Sequence, residues 1–450
     1  MKIESGKLKM KSVTPIFSMS QILNFSKMKI NLLILLILVS VNIHGQLTIE
    51  DCREKARTNY PLVRKYDLIN QSSGLNLQNA SRGFLPQISL LAKATYQSEV
   101  PGIPISIPGI DVPTINKDQY QVIAEVNQII WDGGVINSHK KSINAARDVE
   151  QSRYEVDMYA LNERISDLFF GILLLDEQLK LNRIYSDELS ENHVKIKALI
   201  ANGIANNADL DAISVEQLSV SQRHTELETM QKAYNDMLVF FIGENADNDL
   251  QLQKPDIYDL SVDISDANAW NLRPEKSLFD AGIKQLEAQQ KNISAQTLPR
   301  LSAFVQGGYG NPGLNMFKNE FSAFAIGGLR LTWNFSSFYT RKNDMLKINS
   351  DISAIEVNRE IFDFNNRLLT TRQQAEITKY RKIIDDDRRI VELRGNIKRA
   401  SEAKVENGTM SVTDLIRDIS AEQAAFQNKT LHEIEMLKSI YNMKNILNEE

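Results

Sequence analysis

The sequence predicts a mainly α-helical protein with a smaller β part, built from long antiparallel helical hairpins. Three observations support this fold class. Two stretches of nearly seventy residues contain no proline, four short segments alternate apolar and polar residues, and the same landmarks occur twice along the chain. Because periods of 3.5 and 2 are typical of packed helices and of strands, these patterns assign the two kinds of structure to different segments.

The first proline-free stretch, Val135–Ala201, would extend roughly 100 Å as one helix. Tyr339–Asn407 is similarly free of proline. Apolar residues recur at heptad spacing in Leu161, Ile165, Leu168, Ile172, Leu175 and Leu179, and again in Leu227, Met230, Tyr234, Met237 and Phe241. A second apolar set lies beside the first seam: Phe169, Phe170, Leu173 and Leu174. Helices with two apolar flanks pack on neighbours at both sides, as the walls of a tube require.

Each long helix is predicted to end at a glycine that follows asparagine, Gly203 or Gly408. Residues 207–209 and 411–413 offer caps for the returning helices. Acidic residues near these turns favour the helix N-termini electrostatically. The sequence therefore predicts two long helical hairpins with acidic tips, whose charged residues include Asp209, Asp211, Asp414 and Asp418.

Four segments of about ten residues alternate with period two, beginning near Ile88, Tyr120, Leu301 and Ala325. This length suits a tilted transmembrane β-strand, although a half-buried soluble sheet would show the same alternation. Four strands cannot close a transmembrane barrel, so several chains would have to contribute strands. Under the barrel reading, the polar positions that face the lumen include Lys93, Glu125, Asn127 and Arg330. Their charges have mixed signs and indicate no single substrate charge.

The sequence also contains an internal repeat, in which the same motifs recur at an offset of about 205 residues. Leu85-Pro86 recurs as Leu298-Pro299, Trp131-Asp132 as Trp333-Asn334, and Asn202-Gly203 as Asn407-Gly408. We therefore predict a first repeat at 46–250, a linker at 251–273 and a second repeat at 274–450. Each repeat would begin with one helix, at Ile49–Arg82 or Pro274–Gln296, followed by two strands and a hairpin.

The N-terminus has the pattern of a secretion signal. Lys27 and Lys29 precede an apolar run at Ile30–Val41, and Gly45 offers a cleavage point. Residues 1–45 are thus predicted to be an extension and signal peptide, with an uncleaved anchor as the alternative and Met28 as a possible start. Their removal takes away six lysines and one glutamate and changes the formal net charge from -5 to -10. An acidic mature chain argues against a nucleic-acid partner.

Catalysis and cofactors are not expected. The five histidines are scattered, and no phosphate loop, nucleophile elbow or metal-binding pair occurs. The single cysteine, Cys52, can form no internal disulfide. We predict that it is an ordinary helix residue rather than a lipid anchor. Asp385–Asp387 precede two arginines, which indicates a self-neutralised, solvated helix face.

The whole set of motifs resembles the TolC-like outer-membrane efflux protein family. The resemblance covers about Leu47–Asn448 and is carried by Leu47–Asp51 with Asn59-Tyr60-Pro61, by Leu-Pro before strands one and three, by Trp131–Gly134, and by the doubled glycine turns. It implies a homotrimer in the outer membrane of a Gram-negative bacterium, in contact with its lipid. The resemblance also implies that four strands per chain form a 12-stranded barrel and that the hairpins form a trimeric α-barrel reaching into the periplasm.

The resemblance further implies an exit duct of a tripartite efflux or type I secretion system, with a periplasmic adaptor and an inner-membrane pump as partners. In the family, two tip aspartates line the constriction. The first of these aspartates matches Asp414, but the position of the second is occupied by Arg417. The adjacent Asp418 would point about 100° away from Arg417 around the helix, so it does not take the place of the second aspartate. An Asp414–Arg417 pair is therefore expected to hold the tip closed, and solvated helix-end charges are the alternative.

A periplasmic coiled-coil scaffold or adaptor is the other function that the sequence allows. An adaptor would show one hairpin between compact β-domains, whereas this chain doubles a plan of helix, two strands and hairpin. The strand placement therefore favours the duct. The cargo (a drug, a metal or a protein) is not encoded in these patterns, because the pump supplies most of the selectivity.

Overall fold

The structure is a computed structural model that describes residues 46–101, 115–244, 250–257 and 272–448. The predicted signal, most of the proline-rich loop after the first strand, and most of the predicted linker lie outside these residues. From Leu47 onward the described chain belongs to one compact unit. Its helices, strands and turns can therefore be discussed together.

The first repeat begins with two helices and ends with a hairpin. Its elements are α1 (Ile49–Asn59), α2 (Val63–Ser81), a 3-10 turn (Arg82–Phe84), β1 (Gln87–Tyr96), β2 (Asp118–Trp131), α3 (Val135–Ala201) and α4 (Asn207–Ile242). The second repeat contains α5 (Pro274–Gln296), β3 (Arg300–Asn311), β4 (Ser322–Thr332), α6 (Ser337–Glu406) and α7 (Val412–Leu447). The mainly α fold class with four strands is confirmed, and the order helix, two strands, hairpin recurs.

The prediction of one helix across Ile49–Arg82 is wrong, because the chain breaks at Pro61. Tyr60 is extended, with φ -60° and ψ 131°, since the helical region is disfavoured for a residue before proline. Within α1, Thr48 and Asp51 form a reciprocal capping box. Cys52 is fully buried, and this burial raises the pKa of its thiol to about 12. The cysteine thus lies in a helix, as the sequence predicted, and its burial makes it a core residue of α1.

Helix α3 spans the predicted proline-free stretch from end to end, and its heptad seam is entirely buried. Phe169 and Phe170, on the second apolar flank, are also buried and join a core formed with α1, α4 and α7. The seam predicted on α4 is only partly correct. Leu227 is buried there, but Met230 and Met237 are exposed.

The four strands form one antiparallel sheet in the order β1-β2-β3-β4. The central pair, β2 and β3, joins the two repeats, with Tyr120 opposite Asn311 at one end. A β-bulge between Ile129 and Trp131 lies at the other end of this pair. The turns of the two hairpins pack against each other around a separate core that includes Ile213, Val405 and Val412.

Candidate functional site

The sheet has one polar and one apolar face, and all four predicted lumen residues lie on the polar one. Directly opposed residues of antiparallel strands project to the same side. Glu125 lies opposite Ser89 and Gln306. The other predicted lumen residues are separated from this row by an even number of positions along their strands, so they project to the same side. We call this side the polar face, and it carries Lys93, Glu125, Asn127, Arg300, Gln306 and Arg330.

Three polar-face side chains form a cluster across β2, β3 and β4. The Arg330 guanidinium donates to Glu125 Oε1 at 2.8 Å, and Gln306 Nε2 donates to the other carboxylate oxygen at 2.5 Å. Arg330 also lies over the ring of Phe304, 4.4 Å from its centroid. The charge of Glu125 is therefore balanced by Arg330, which sequence reasoning did not foresee.

The opposite side, the apolar face, is exposed in the single chain. Ile88, Leu90 and Leu329 retain 78%, 75% and 69% of their accessible surface. Within the strands, this face carries a single charge, Asp118, at the first residue of β2. A contiguous apolar surface of this kind marks a contact with lipid or with another protein.

Among the described residues, the two outer strands of the sheet, β1 and β4, each have one edge without a pairing strand. β1 has 10 residues and β4 has 11. Unpaired edges of this length present rows of N–H and C=O groups that favour pairing with another strand. The sheet is thus open on both sides.

Aromatic side chains lie near both ends of the strands. Near the loop end, Tyr120 and Tyr309 stack on Phe321, with ring centroids 6.5 and 5.7 Å away. Near the helical end, Trp333 packs on Phe335 at 4.8 Å, and the indole N–H donates to the Thr297 carbonyl at 3.0 Å. β4 ends at Thr332, so Trp333 and Phe335 follow the strand instead of belonging to it.

Both predicted tip glycines adopt the left-handed conformation that ends a helix. The φ angles are +74° at Gly203 and +66° at Gly408. The cap of α4 is Asn206, whose side chain accepts from the Asp209 N–H, so the predicted cap at 207–209 is displaced by one residue. The cap of α7 is Ser411, as predicted.

The acidic tip residues make local contacts. Asp414 accepts from the Ser411 hydroxyl at 2.7 Å and forms an ion pair with Arg417. These two contacts hold the pKa of Asp414 below its usual value. Asp418 accepts from Ser401 Oγ on α6 at 2.6 Å. Asp209 forms a capping box with Asn206, and Asp211 is exposed.

A charged cluster that the sequence did not reveal connects the two hairpins. Lys398 on α6 donates to Glu188 on α3 at 2.8 Å and forms an ion pair with Glu422 on α7 at 2.5 Å. All three side chains are largely buried. Burial opposes protonation, but the two carboxylates together raise the pKa of Lys398. The cluster fixes α3 relative to α6 and α7.

The prediction of a solvated face at Asp385–Asp387 is wrong for Asp387. This carboxylate is buried and lies 2.7 Å from Nδ1 of His432 on α7. Asp385 pairs with Arg388 at 3.2 Å, as expected of a solvated face. Successive helix residues point about 100° apart, so one of the three aspartates turns toward the neighbouring helix.

Across the described ranges, no helix is both long and apolar enough to cross a membrane. Those same ranges contain no group of three or more histidine, cysteine, aspartate or glutamate side chains placed to hold a metal ion.

The chain matches no protein-family model and no curated protein sequence. Solved structures are similar to it in fold. They include CusC, with a TM-score of 0.67, 11% identity and coverage of 89% of this chain and 92% of that one. The Campylobacter jejuni outer-membrane channel CmeC has a TM-score of 0.64 and 12% identity, with 89% and 85% covered.

The Neisseria gonorrhoeae outer-membrane channel MtrE, in its open state, has a TM-score of 0.65 and 13% identity, with 89% of each chain covered. Each of these likenesses covers 89% of this chain. The protein therefore has the fold of the TolC-like outer-membrane efflux channels, the family that its sequence resembles.

Proposed function

We propose that the protein is the outer-membrane exit duct of a tripartite efflux or type I secretion system in a Gram-negative bacterium. The observation that carries this proposal is the sheet, which has an exposed apolar face, a polar face and two unpaired edges. Such a sheet is incomplete in one chain. It becomes complete when the edges meet those of other copies and the apolar face meets lipid.

Three copies of the chain would pair all the open edges of their sheets in one closed barrel. A transmembrane barrel needs at least eight strands, and three sheets of four strands give twelve. In this arrangement β1 of one copy pairs with β4 of the next, so the same contact repeats around a threefold axis. The aromatic side chains at the strand ends then lie in the two interfacial girdles.

The long hairpins form the wall of an α-barrel in the periplasm, with their glycine turns at its tip. There a periplasmic adaptor and an inner-membrane pump deliver the cargo. Asp414 and Arg417 help to hold the tip closed through their ion pair. The pump sets most of the cargo specificity, and the duct requires no cofactor and no catalytic residue.

Reconstitution into planar lipid bilayers tests the proposal. The detergent-extracted protein should insert and give discrete conductance steps. Leu329→Asp places a charge on the apolar face, where it faces lipid, so this variant should fail to insert. Gln121→Asp introduces the same side chain on the polar face and should insert normally.

A soluble protein without conductance would contradict the duct and favour the periplasmic scaffold. Equal insertion of the two variants would contradict the assignment of the faces, because a soluble sheet would not distinguish them in this way.

A further inference from the structure

We infer that the barrel section of the duct prefers anions, because the polar face of the sheet carries an excess of unbalanced positive charge. This inference rests on the proposed function, which turns the polar face toward the lumen. It names a substrate class that the mixed signs of the sequence-predicted lumen residues did not indicate.

The register of the strands establishes the charge count. Within the four strands, the polar face carries three cations, Lys93, Arg300 and Arg330, and one carboxylate, Glu125. Arg330 and Glu125 neutralise each other at 2.8 Å. Among the described residues, neither Lys93 nor Arg300 has a carboxylate within ion-pair distance, and both side chains are exposed. Each copy thus contributes two unbalanced cations to this face.

These two cations lie at different heights on the sheet. Arg300 opposes Thr332 at the helical end, whereas Lys93 opposes Gln121 close to the loop end. Threefold repetition makes two rings of three positive charges along the barrel. Arg330 and Glu125 lie between them and add no net charge. A migrating ion therefore meets the same sign of fixed charge near both ends of the section.

A cavity next to Lys93 has the chemistry of an anion subsite. Its volume is about 290 Å³, and it lies at the loop end of the polar face. Apolar residues such as Leu314 and Met316 form part of its lining, and the polar lining residues are Lys93, Thr95, Gln97, Gln119, Gln121 and Asn311. The described lining contains one cation, several amide and hydroxyl donors, and no carboxylate. Ammonium and amide groups donate hydrogen bonds to phosphate, sulfate or carboxylate groups. The inferred substrates are therefore solutes that carry such groups.

Ion selectivity in planar bilayers under a KCl gradient tests the inference. Measurements near 0.1 M salt are suitable, because the Debye length of about 10 Å lets wall charges act across much of the lumen. The double variant Lys93→Gln with Arg300→Gln should lower the chloride-to-potassium permeability ratio by about twofold or more. The matched control, Lys65→Gln with Lys180→Gln, removes two cations that already pair with carboxylates and should leave the ratio unchanged.

A second measurement needs no variant. Tripolyphosphate added on the loop side of wild-type channels should block the current at a lower concentration than on the hairpin side. An unchanged permeability ratio in a double variant that inserts with normal conductance would overturn the inference, as would equal block from both sides. Failure of the wild type to conduct at all would instead refute the proposed duct.

Discussion

The long first helices of the two hairpins occupy the same place in their repeats but have different surroundings. α3 has 67 residues and α6 has 70. Nineteen residues of α3 are buried, including Ile165 and Phe169, whereas only seven of α6 are. The two helices occupy equivalent positions and are nearly equal in length, so their difference in burial comes from the elements that pack against them.

The neighbours of each helix explain this difference. α3 packs against α1, α2, α4, α5 and α7, whereas α6 packs mainly against α5 and α7. The free side of α6 exposes large apolar residues: Leu346, Val357, Ile361, Phe364, Leu368, Leu369, Ile390, Leu393 and Ile397. A duplicated unit has thus taken two roles. The first copy builds the core of the chain, whereas the second leaves an apolar side exposed, which in the proposed trimer would face a neighbouring copy.

The largest expected effect comes from truncating an aromatic ring on α3. Phe169→Ala removes a fully buried side chain and should lower the free energy of unfolding by about 3–5 kcal/mol. The matched change on α6, Phe364→Ala, removes a ring that is 62% exposed in the single chain. It should leave the chain folded and weaken the proposed trimer.

Denaturant titration combined with crosslinking distinguishes these outcomes. An equal loss of chain stability in both variants, with no change in the trimer, would contradict the different roles of α3 and α6.

A smaller effect is expected at the contact between the hairpins. Lys398→Ala leaves Glu188 and Glu422 facing each other and should cost about 1–3 kcal/mol. Lys180→Ala, which removes an exposed cation paired with Glu177, should cost little and serves as the control. Unfolding midpoints of the three proteins at neutral pH provide the comparison.

The contribution of Lys398 to folding stability should decrease at high pH. Its pKa is raised in the folded chain, so its contribution is fully present below the usual value of 10.5 and is lost as the pH rises through the folded value. The stability difference between wild type and Lys398→Ala should therefore narrow in strongly alkaline solution. A difference that widens there would contradict the ion pairing.

Replacing glycine by alanine should have opposite effects on stability in a tip turn and inside a helix. Gly408→Ala forces alanine into a backbone with φ +66° and should destabilise the second hairpin by about 1 kcal/mol. Gly74 lies inside α2 with open space around its added Cβ, and Gly74→Ala should stabilise by about 0.4–1 kcal/mol. Thermal unfolding of both variants checks the opposite signs, and two shifts of equal sign would contradict them.

The smallest effect on stability is expected at the tip ion pair. Arg417→Ala breaks an exposed contact with Asp414 and should leave the unfolding midpoint unchanged. If the pair helps to close the tip, cells producing this variant should admit more of a small dye than wild-type cells. Unchanged leakage would remove Arg417 from the closing mechanism.

The sequence predicted those features that depend on local patterns. Proline-free heptads placed the ends of α3, and asparagine-glycine pairs placed both tip turns. Alternation assigned Lys93 and Arg330 to one face of the sheet, which the strand register confirms. These features are local because helix ends, turns and strand faces depend on residues within a few positions of each other.

Features that depend on distant contacts were missed. Lys398 and Glu188 are 210 residues apart, and no local pattern connects them. The two arginines that follow Asp387 predict a solvated carboxylate, whereas its contact in the structure is His432 on another helix. The break after α1 has a local cause in the sequence, since Pro61 disfavours helical geometry at Tyr60.

The most direct test of the proposed trimeric barrel is membrane fractionation followed by gel electrophoresis of unheated and heated outer-membrane extract. If three copies form the barrel, the outer-membrane extract should contain a protein that migrates unheated at three times the mass of the processed chain. After heating it should migrate as a single chain below 51.1 kDa, the mass of the full sequence. A soluble periplasmic monomer or dimer would contradict the proposed barrel, because the apolar face and open edges of the sheet would then have no lipid and no neighbouring strands to cover them.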